Sequence, residues 1–200
     1  MSLHDVVAAA LAEDIGPLGD LTASLLPPQA TVEADIVPRR AGVLAGTAPA
    51  TEAFALVDRG IDVGWAAVDG DVLGPGAPVA RVSGPLSSVL TAERTALNFL
   101  SHLSGIATLT RRYVDAVAGT PARIRDTRKT TPGLRALEKA AVRAGGGVNH
   151  RGSLSDGVLV KDNHLAGMSI EEAVAAARRR WPGRTVQVEC DDAGHLEQAL

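Results

Sequence analysis

Residues 121–162 read PARIRDTRKTTPGLRALEKAAVRAGGGVNHRGSLSDGVLVKD. The rhythm is strand, loop, helix, strand. PARIRDT predicts a short strand. Thr131 is placed to cap a helix whose first position is Pro132. Leu134, Leu137, Ala141 and Ala144 share one face of that helix, and Gly145 ends it. GVLVKD predicts a second, buried strand. Moving outward, SIEEAVAAARRRWPG (169–183) predicts another helix. Ser169 is its cap, acids fill its first turn and arginines its last, as the helix dipole favours. RTVQVEC predicts a third strand, and DDAGHLEQAL opens a third helix. Three such steps in a row predict a parallel sheet covered by helices. Three parallel strands cannot close a barrel, which usually needs about eight. The last residues, LEQAL, carry no helix stop signal, so a fragment, or a chain completed by a partner, is expected.

Upstream, Pro85 is placed in the first turn of a helix, PLSSVLTAERTALNFLSHLSG. Leu86, Val89, Leu90, Leu97, Leu100 and Leu103 form its apolar stripe. Glu93 falls inside that stripe and Arg94 on its edge, where charge is costly unless paired. Either the Arg94 side chain extends to water, or it points into a site that another subunit completes. Gly105 is expected to interrupt the helix, which resumes through ATLTRRYVDAVAG. Residues 3–13 predict a helix, and DIGPLGDLTASLLPP predicts turn and loop. TVEADIV, GVLAG, IDVGWAAV and the pieces of VDGDVLGPGAPVARVSGP predict short strands, with one helix from residue 48. The first half therefore reads as α+β with a small antiparallel sheet.

Composition narrows the function. Two Trp, one Tyr and two Phe leave few platforms for stacking bases, and a net charge of -3 draws no nucleic acid. No apolar run reaches the roughly 18 residues a spanning helix needs. The opening MSLHDVVAAALAED lacks a basic region, and Cys190 stands alone, so a cytoplasmic protein is expected.

Against that acidic balance, residues 125–151 hold Arg125, Arg128, Lys129, Arg135, Lys139, Arg143 and Arg151, with only Asp126 and Glu138 opposing them. The chain has three lysines among its 20 basic residues. Lys129, Lys139 and Lys161 therefore mark places where a compact ammonium is wanted rather than a planar fork. Each predicted parallel strand also delivers charge at its C-terminal end: Asp126, Arg128 and Lys129; then Lys161, Asp162, Asn163 and His164; then Glu189. That edge is where ligands bind in parallel α/β folds. Arginine forks there suit a carboxylate or phosphate. Gly145, Gly146 and Gly147 allow a close backbone approach to a ligand, although such a run is more often a helix stop and loop. His150 beside Arg151 favours its neutral form unless an anion is near. No spacing suggests zinc. Rim carboxylates suit Mg²⁺ held through water and a substrate phosphate.

The segments ERTALNFLSHLSGIAT, RDTRKTTPGLRALEKAAVRAGGGVNHRGSLSDGVLVKDNH, VQVEC and LAEDIGPLGDLTASLL together resemble the quinolinate phosphoribosyltransferase family. The resemblance implies an α/β protein with an N-terminal α+β sandwich domain (1–104, with a linking helix). The first βα units of an incomplete, TIM-like α/β barrel follow (105–200). It implies a pentosyltransferase that joins quinolinate to phosphoribosyl pyrophosphate (PRPP), releasing pyrophosphate and CO₂ and leaving nicotinate mononucleotide, in NAD biosynthesis. Mg²⁺ would accompany PRPP. The protein would be a homodimer, or a multiple of dimers, with shared active sites. Motif by motif, Arg94 would reach toward quinolinate in the neighbour's site. Arg128, His150, Arg151 and Lys161 would hold the two carboxylates. Lys129 would lie between quinolinate and the phosphoribosyl donor, and Glu189 near the ribose or its metal; these two are the catalytic candidates. No metal ligand is assigned. Relatives continue for several more strands, carrying a further acid and Gly-rich phosphate loops, so weak or absent turnover is expected of 200 residues.

Rival readings are a paralogous phosphoribosyltransferase-like protein linked to molybdate transport, and a non-catalytic anion-binding fragment. VDGDVLGPGAPVARVSG also resembles the hammerhead of lipoyl and biotinyl carriers. That half of the chain has no lysine to carry the group.

Overall fold

The structure, a computed structural model, describes residues 2–199. The chain divides into two compact units, one ending at Asn149 and one starting at His150.

The first unit runs α1 (Leu3–Ile15), β1 (Thr31–Ile36), β2 (Gly42–Val43), α2 (Thr47–Val57), β3 (Asp62–Trp65), β4 (Val72–Leu73), β5 (Ala80–Pro85), α3 (Leu86–Ala116) and α4 (Arg135–Ala144). A single 3₁₀ turn, Ala23–Leu25, lies in the expected loop. The main sheet is antiparallel in the order β1-β5-β3, with Thr31 opposite Pro85 and Asp62 opposite Ser83. β2 and β4 form a separate antiparallel pair. Ser2 caps α1 reciprocally: its hydroxyl accepts the Asp5 N–H, and the Asp5 carboxylate accepts the Ser2 N–H. The core joins Val7 and Leu11 of α1, Phe54 of α2, Val82 of β5, and Val89, Ala96, Phe99 and Leu100 of α3. The sandwich of helices on a small sheet is thus present.

Helix α3 differs from its expected form. It has 31 residues and passes through Gly105 without a break. Glycine costs roughly 1 kcal/mol against alanine in a helix interior, but packing on either side overrides it. Leu103 and Ala107 are buried with Val43, Ala45 and Ala141 in a second cluster. Ser104 Oγ accepts the Ala45 N–H at 3.0 Å, and Thr108 Oγ1 accepts the Val43 N–H at 2.9 Å. These hydroxyls satisfy donors that the two-residue strand β2 leaves unpaired. Pro85 closes β5 and caps α3 rather than lying in its first turn. Leu90, placed on the apolar stripe by spacing, is 44% exposed.

Two expectations around residues 121–134 are also corrected. PARIRDT is not a strand; it makes one parallel bridge, Arg125 to Val148. The ladder stops there because Thr127 Oγ1 takes the Lys129 N–H at 3.0 Å, a local bond that competes with pairing. Helix α4 starts at Arg135, not Pro132. Gly133 lies at φ +83, in the left-handed region, which no right-handed helix can include.

The second unit runs β6 (Gly157–Val160), α5 (Asp162–Leu165), α6 (Ile170–Arg180), β7 (Thr185–Val188) and α7 (Ala193–Ala199). β6 and β7 are parallel, with Val160 opposite Val188. Ser169 and Glu172 form the capping box that starts α6, and Ile170, Ala173 and Ala177 are its buried stripe. The one-turn helix α5 on KDNH is an addition to the sequence reading. The three-stranded parallel sheet is not formed as expected: β6 and β7 are its only regular strands among the described residues.

Candidate active site

In the first unit the segment 126–131 carries Arg128 and Lys129, and its shape follows from bonds at each end. The parallel bridge sets Asp126 and Asn149 side by side: the Asp126 N–H reaches the Val148 carbonyl at 3.2 Å. Asn149 Nδ2 donates to Asp126 Oδ2 at 2.5 Å and to the Lys139 carbonyl at 3.0 Å. Lys139 Nζ meets Asp126 Oδ1 at 2.5 Å, with both side chains 8% exposed. At the far end, Glu138 Oε2 accepts the Thr131 N–H at 3.2 Å and Oε1 meets His102 Nε2 at 2.9 Å. Arg135 Nε donates to Thr130 Oγ1 at 3.1 Å. Burial alone would raise the Glu138 pKa. The Thr131 and His102 hydrogen bonds outweigh it, and the carboxyl lies below the usual glutamate range.

Between those ends Arg128 is half-buried and Lys129 exposed. The Nε of Arg128 is shut off from solvent and has no hydrogen-bond partner among the described residues. Buried polar atoms are overwhelmingly paired in native structures, so an orphan asks for an explanation. A guanidinium edge that is desolvated and unpaired is prepared for an anion. Arg94 lies exposed on α3.

The triple glycine lies where two helices meet. A Cβ on Gly147 would stand 2.9 Å from the Thr110 methyl and 2.8 Å from Val142 Cγ1. Gly146 adopts φ +90 to turn the chain back. The run closes α4 against α3.

In the second unit the register of β6 and β7 makes Lys161 and Glu189 neighbours just past the strand ends. They form an ion pair of 2.6 Å, with side chains 35% and 48% exposed. The Glu189 N–H reaches the Val160 carbonyl at 2.8 Å. His164 Nδ1 accepts the Lys161 N–H at 3.1 Å, which turns α5 out of the strand. His150 bonds through its ring to the Gln187 amide on β7. Arg151 Nη1 donates to the Gly157 carbonyl at 3.0 Å, at the start of β6, while Lys161 follows its end. Of the predicted residues, then, Lys161 and Glu189 are in contact, and Arg151 is anchored at the other end of the same strand. Asp156 sets the turn before β6 by accepting the Gly152 and Ser153 N–H groups and the Ser153 hydroxyl. These bonds, the hydroxyl first, hold its carboxyl below the usual range.

Sequence reasoning missed His102, Asn149 and the clamping role of Glu138. The signal for Glu138 was its spacing from Leu134 and Ala141, which puts it on the face of α4 that turns toward the core. A cleft of about 510 Å³ in the first unit, lined by Glu13, Asp14, Thr95, Asn98, Phe99 and His102 among others, contains none of the predicted cations. Among the described residues, no group of three or more His, Cys, Asp or Glu side chains is placed to hold a metal ion, and no helix is long and apolar enough to cross a membrane.

Comparison with known proteins places these features in context. A family model described as quinolinate phosphoribosyl transferase, N-terminal domain, matches residues 20–104, and the corresponding C-terminal domain matches residues 106–200. The chain is 46% identical over 204 residues to a nicotinate-nucleotide pyrophosphorylase [carboxylating] of Mycobacterium leprae, covering 98% of this chain and 71% of that one. It is 46% identical over 180 residues to a probable nicotinate-nucleotide pyrophosphorylase [carboxylating] of Bacillus subtilis, covering 90% of this chain and 62% of that one. The solved nicotinate-nucleotide pyrophosphorylase of Francisella tularensis superposes with a TM-score of 0.93 at 38% identity, over 98% of this chain and 70% of that one.

Proposed function

The chain belongs to the quinolinate phosphoribosyl transferase family, and on that premise we propose that it takes part in the family's decarboxylating phosphoribosyl transfer. The pyridine nitrogen of quinolinate attacks the ribose carbon of PRPP. Pyrophosphate leaves with the bonding electrons, and the carboxylate next to the now cationic nitrogen departs as CO₂. Its electron pair stays on the ring, where a proton replaces it. Nicotinate mononucleotide is the product, which places the reaction in NAD biosynthesis.

The observation that carries this reading is the orphaned, buried Nε of Arg128. A dicarboxylate is the kind of ligand that would satisfy it, by a paired and charge-assisted bond. In this proposal Arg128, His150, Arg151 and Lys161 bind the two carboxylates, and Lys129 serves both substrates. Glu189 stabilises the positive charge that grows on the ribose carbon as pyrophosphate leaves. Arg94 is supplied to the site of a second copy, which makes the active form a homodimer or a multiple of dimers. Mg²⁺ comes as a companion of the PRPP diphosphate; it commonly relies on substrate phosphates and one or two carboxylates rather than a protein cage. A reducing, cytoplasmic setting is part of the same reading and agrees with the lone, half-buried Cys190.

The test is incubation of the chain with quinolinate, PRPP and Mg²⁺, with CO₂ and pyrophosphate measured together. Equal release of the two supports the proposal. Quinolinate binding with no release of either points to an anion-binding protein and ends the catalytic reading. Mixing Arg94→Ala with Lys161→Ala protein should restore activity that neither variant has alone, because one site of a mixed dimer keeps both residues. No recovery would remove the shared site.

A further inference from the structure

Helix α4 presents Arg135, Glu138 and Lys139 on one turn, and these three side chains touch both ends of the segment that carries Arg128 and Lys129. Lys139 holds Asp126 at its start. Glu138 holds the Thr131 N–H, and Arg135 the Thr130 hydroxyl, at its end. We propose that Glu138 and Lys139 are positioning residues: they fix residues 126–131 in an anion-receiving shape before any ligand arrives. This inference rests on the functional reading above.

The physical case has three parts. First, a lysine–aspartate pair this deeply buried is a poor source of stability. Desolvation offsets much of its attraction, and apolar side chains of similar volume often do as well. What such a pair supplies better than apolar contacts is direction, because each charge fixes where its partner must lie. Second, the chain between the clamps is bonded to itself. Lys129 N–H donates to Thr127 Oγ1, and Thr130 N–H donates to the Arg128 carbonyl at 3.0 Å. Pinning residues 126 and 131 therefore settles the backbone of residue 128. Third, the unpaired Arg128 Nε would be relieved if the segment relaxed. A segment that keeps a buried donor unsatisfied needs something to hold it, and the α4 clamp is the device present. Holding a binding group in place beforehand removes an ordering cost that the ligand would otherwise bear.

Quinolinate binding to the full chain, followed by calorimetry, tests this with four variants. Glu138→Ala frees Thr131 and should weaken binding roughly tenfold or more, although Glu138 touches no ligand. Glu138→Gln should bind as the parent does: its oxygen can still accept the Thr131 N–H, and its amide can donate to the other tautomer of His102. A purely structural role would not predict that rescue at matched stability. Asp126→Asn combined with Lys139→Met removes both buried charges together, avoids an unpaired one, and should weaken binding as Glu138→Ala does. Arg128→Ala is the control. If it weakens binding while folded Glu138→Ala and the double variant bind as the parent does, positioning is refuted and the functional reading stands. If Arg128→Ala leaves affinity unchanged, the functional reading fails instead. Amide exchange on the parent chain gives the answer even where a variant does not fold. The N–H groups of Asp126, Lys129, Thr130 and Thr131 should be protected without ligand and change little when quinolinate is added. Rapid exchange that slows on binding would mean that the ligand orders the segment, and would overturn the proposal.

Discussion

The Cα of Gly145 faces the main chain of Ala107 so closely that a methyl group on it would stand 2.4 Å from the Ala107 carbonyl oxygen and 2.7 Å from Thr110 Cβ. The obstacle is backbone on a 31-residue helix, so little can move aside. Gly145→Ala should therefore cost about 1–3 kcal/mol, as overpacking does. Urea unfolding measures it, and a change within about 0.5 kcal/mol, as for an ordinary surface site, would mean that α4 does not close on α3 as described.

Arg128→Ala should weaken quinolinate binding by roughly 2–4 kcal/mol if a bidentate, charge-assisted contact is lost. Arg128→Lys should recover less than half of that loss, because an ammonium cannot reproduce the fork. Unfolding free energy should not fall with Arg128→Ala, since an unsatisfied buried donor is removed. Calorimetry and urea unfolding on the same samples separate the two effects.

Lys161 and Glu189 should prove nearly neutral for stability. The pair is short but 35% and 48% exposed, and pairs of that kind contribute about 0–1 kcal/mol. A double-mutant cycle of Lys161→Met and Glu189→Gln should return a coupling within that range. Glu189→Gln should nevertheless depress CO₂ release, its charge being proposed to act on the ribose.

Acid should loosen the first unit through Glu138. Its folded pKa is depressed, so across the window from the ordinary glutamate range down to that folded value the unfolded chain binds more protons than the folded one. The stability Glu138 contributes is full above the window and is lost as pH falls through it. Glu138→Gln should flatten that part of a curve of unfolding free energy against pH. An unchanged slope would show that other carboxylates carry it.

Much of this was legible in the residues. The antiparallel first half, the β6–α6–β7 step and the Ser169 cap follow from alternation, spacing and capping chemistry. Of the three scarce lysines, Lys139 and Lys161 sit in short ion pairs, where an ammonium acts as a compact charge. What failed did so for tertiary reasons. Gly105 reads as a breaker, but Leu103 and Ala107 bury on either side of it. Thr131 reads as a cap, but Gly133 stands in the left-handed region between it and the helix, and the residue is held by its main-chain N–H instead. Partners 30 or more positions away, such as His102 for Glu138, leave no local trace in a sequence.

Helix α3 begins at Leu86 and ends at Ala116, so the seam between the two family domains, at residues 104–106, falls inside unbroken helical turns. The two domains therefore share a girder rather than a tether. A protease would find no soft joint there to nick. An engineer wishing to graft either half onto another scaffold would have to carry the whole rod along, because severing it at the seam would strip Leu103 and Ala107 of the neighbours that keep them dry.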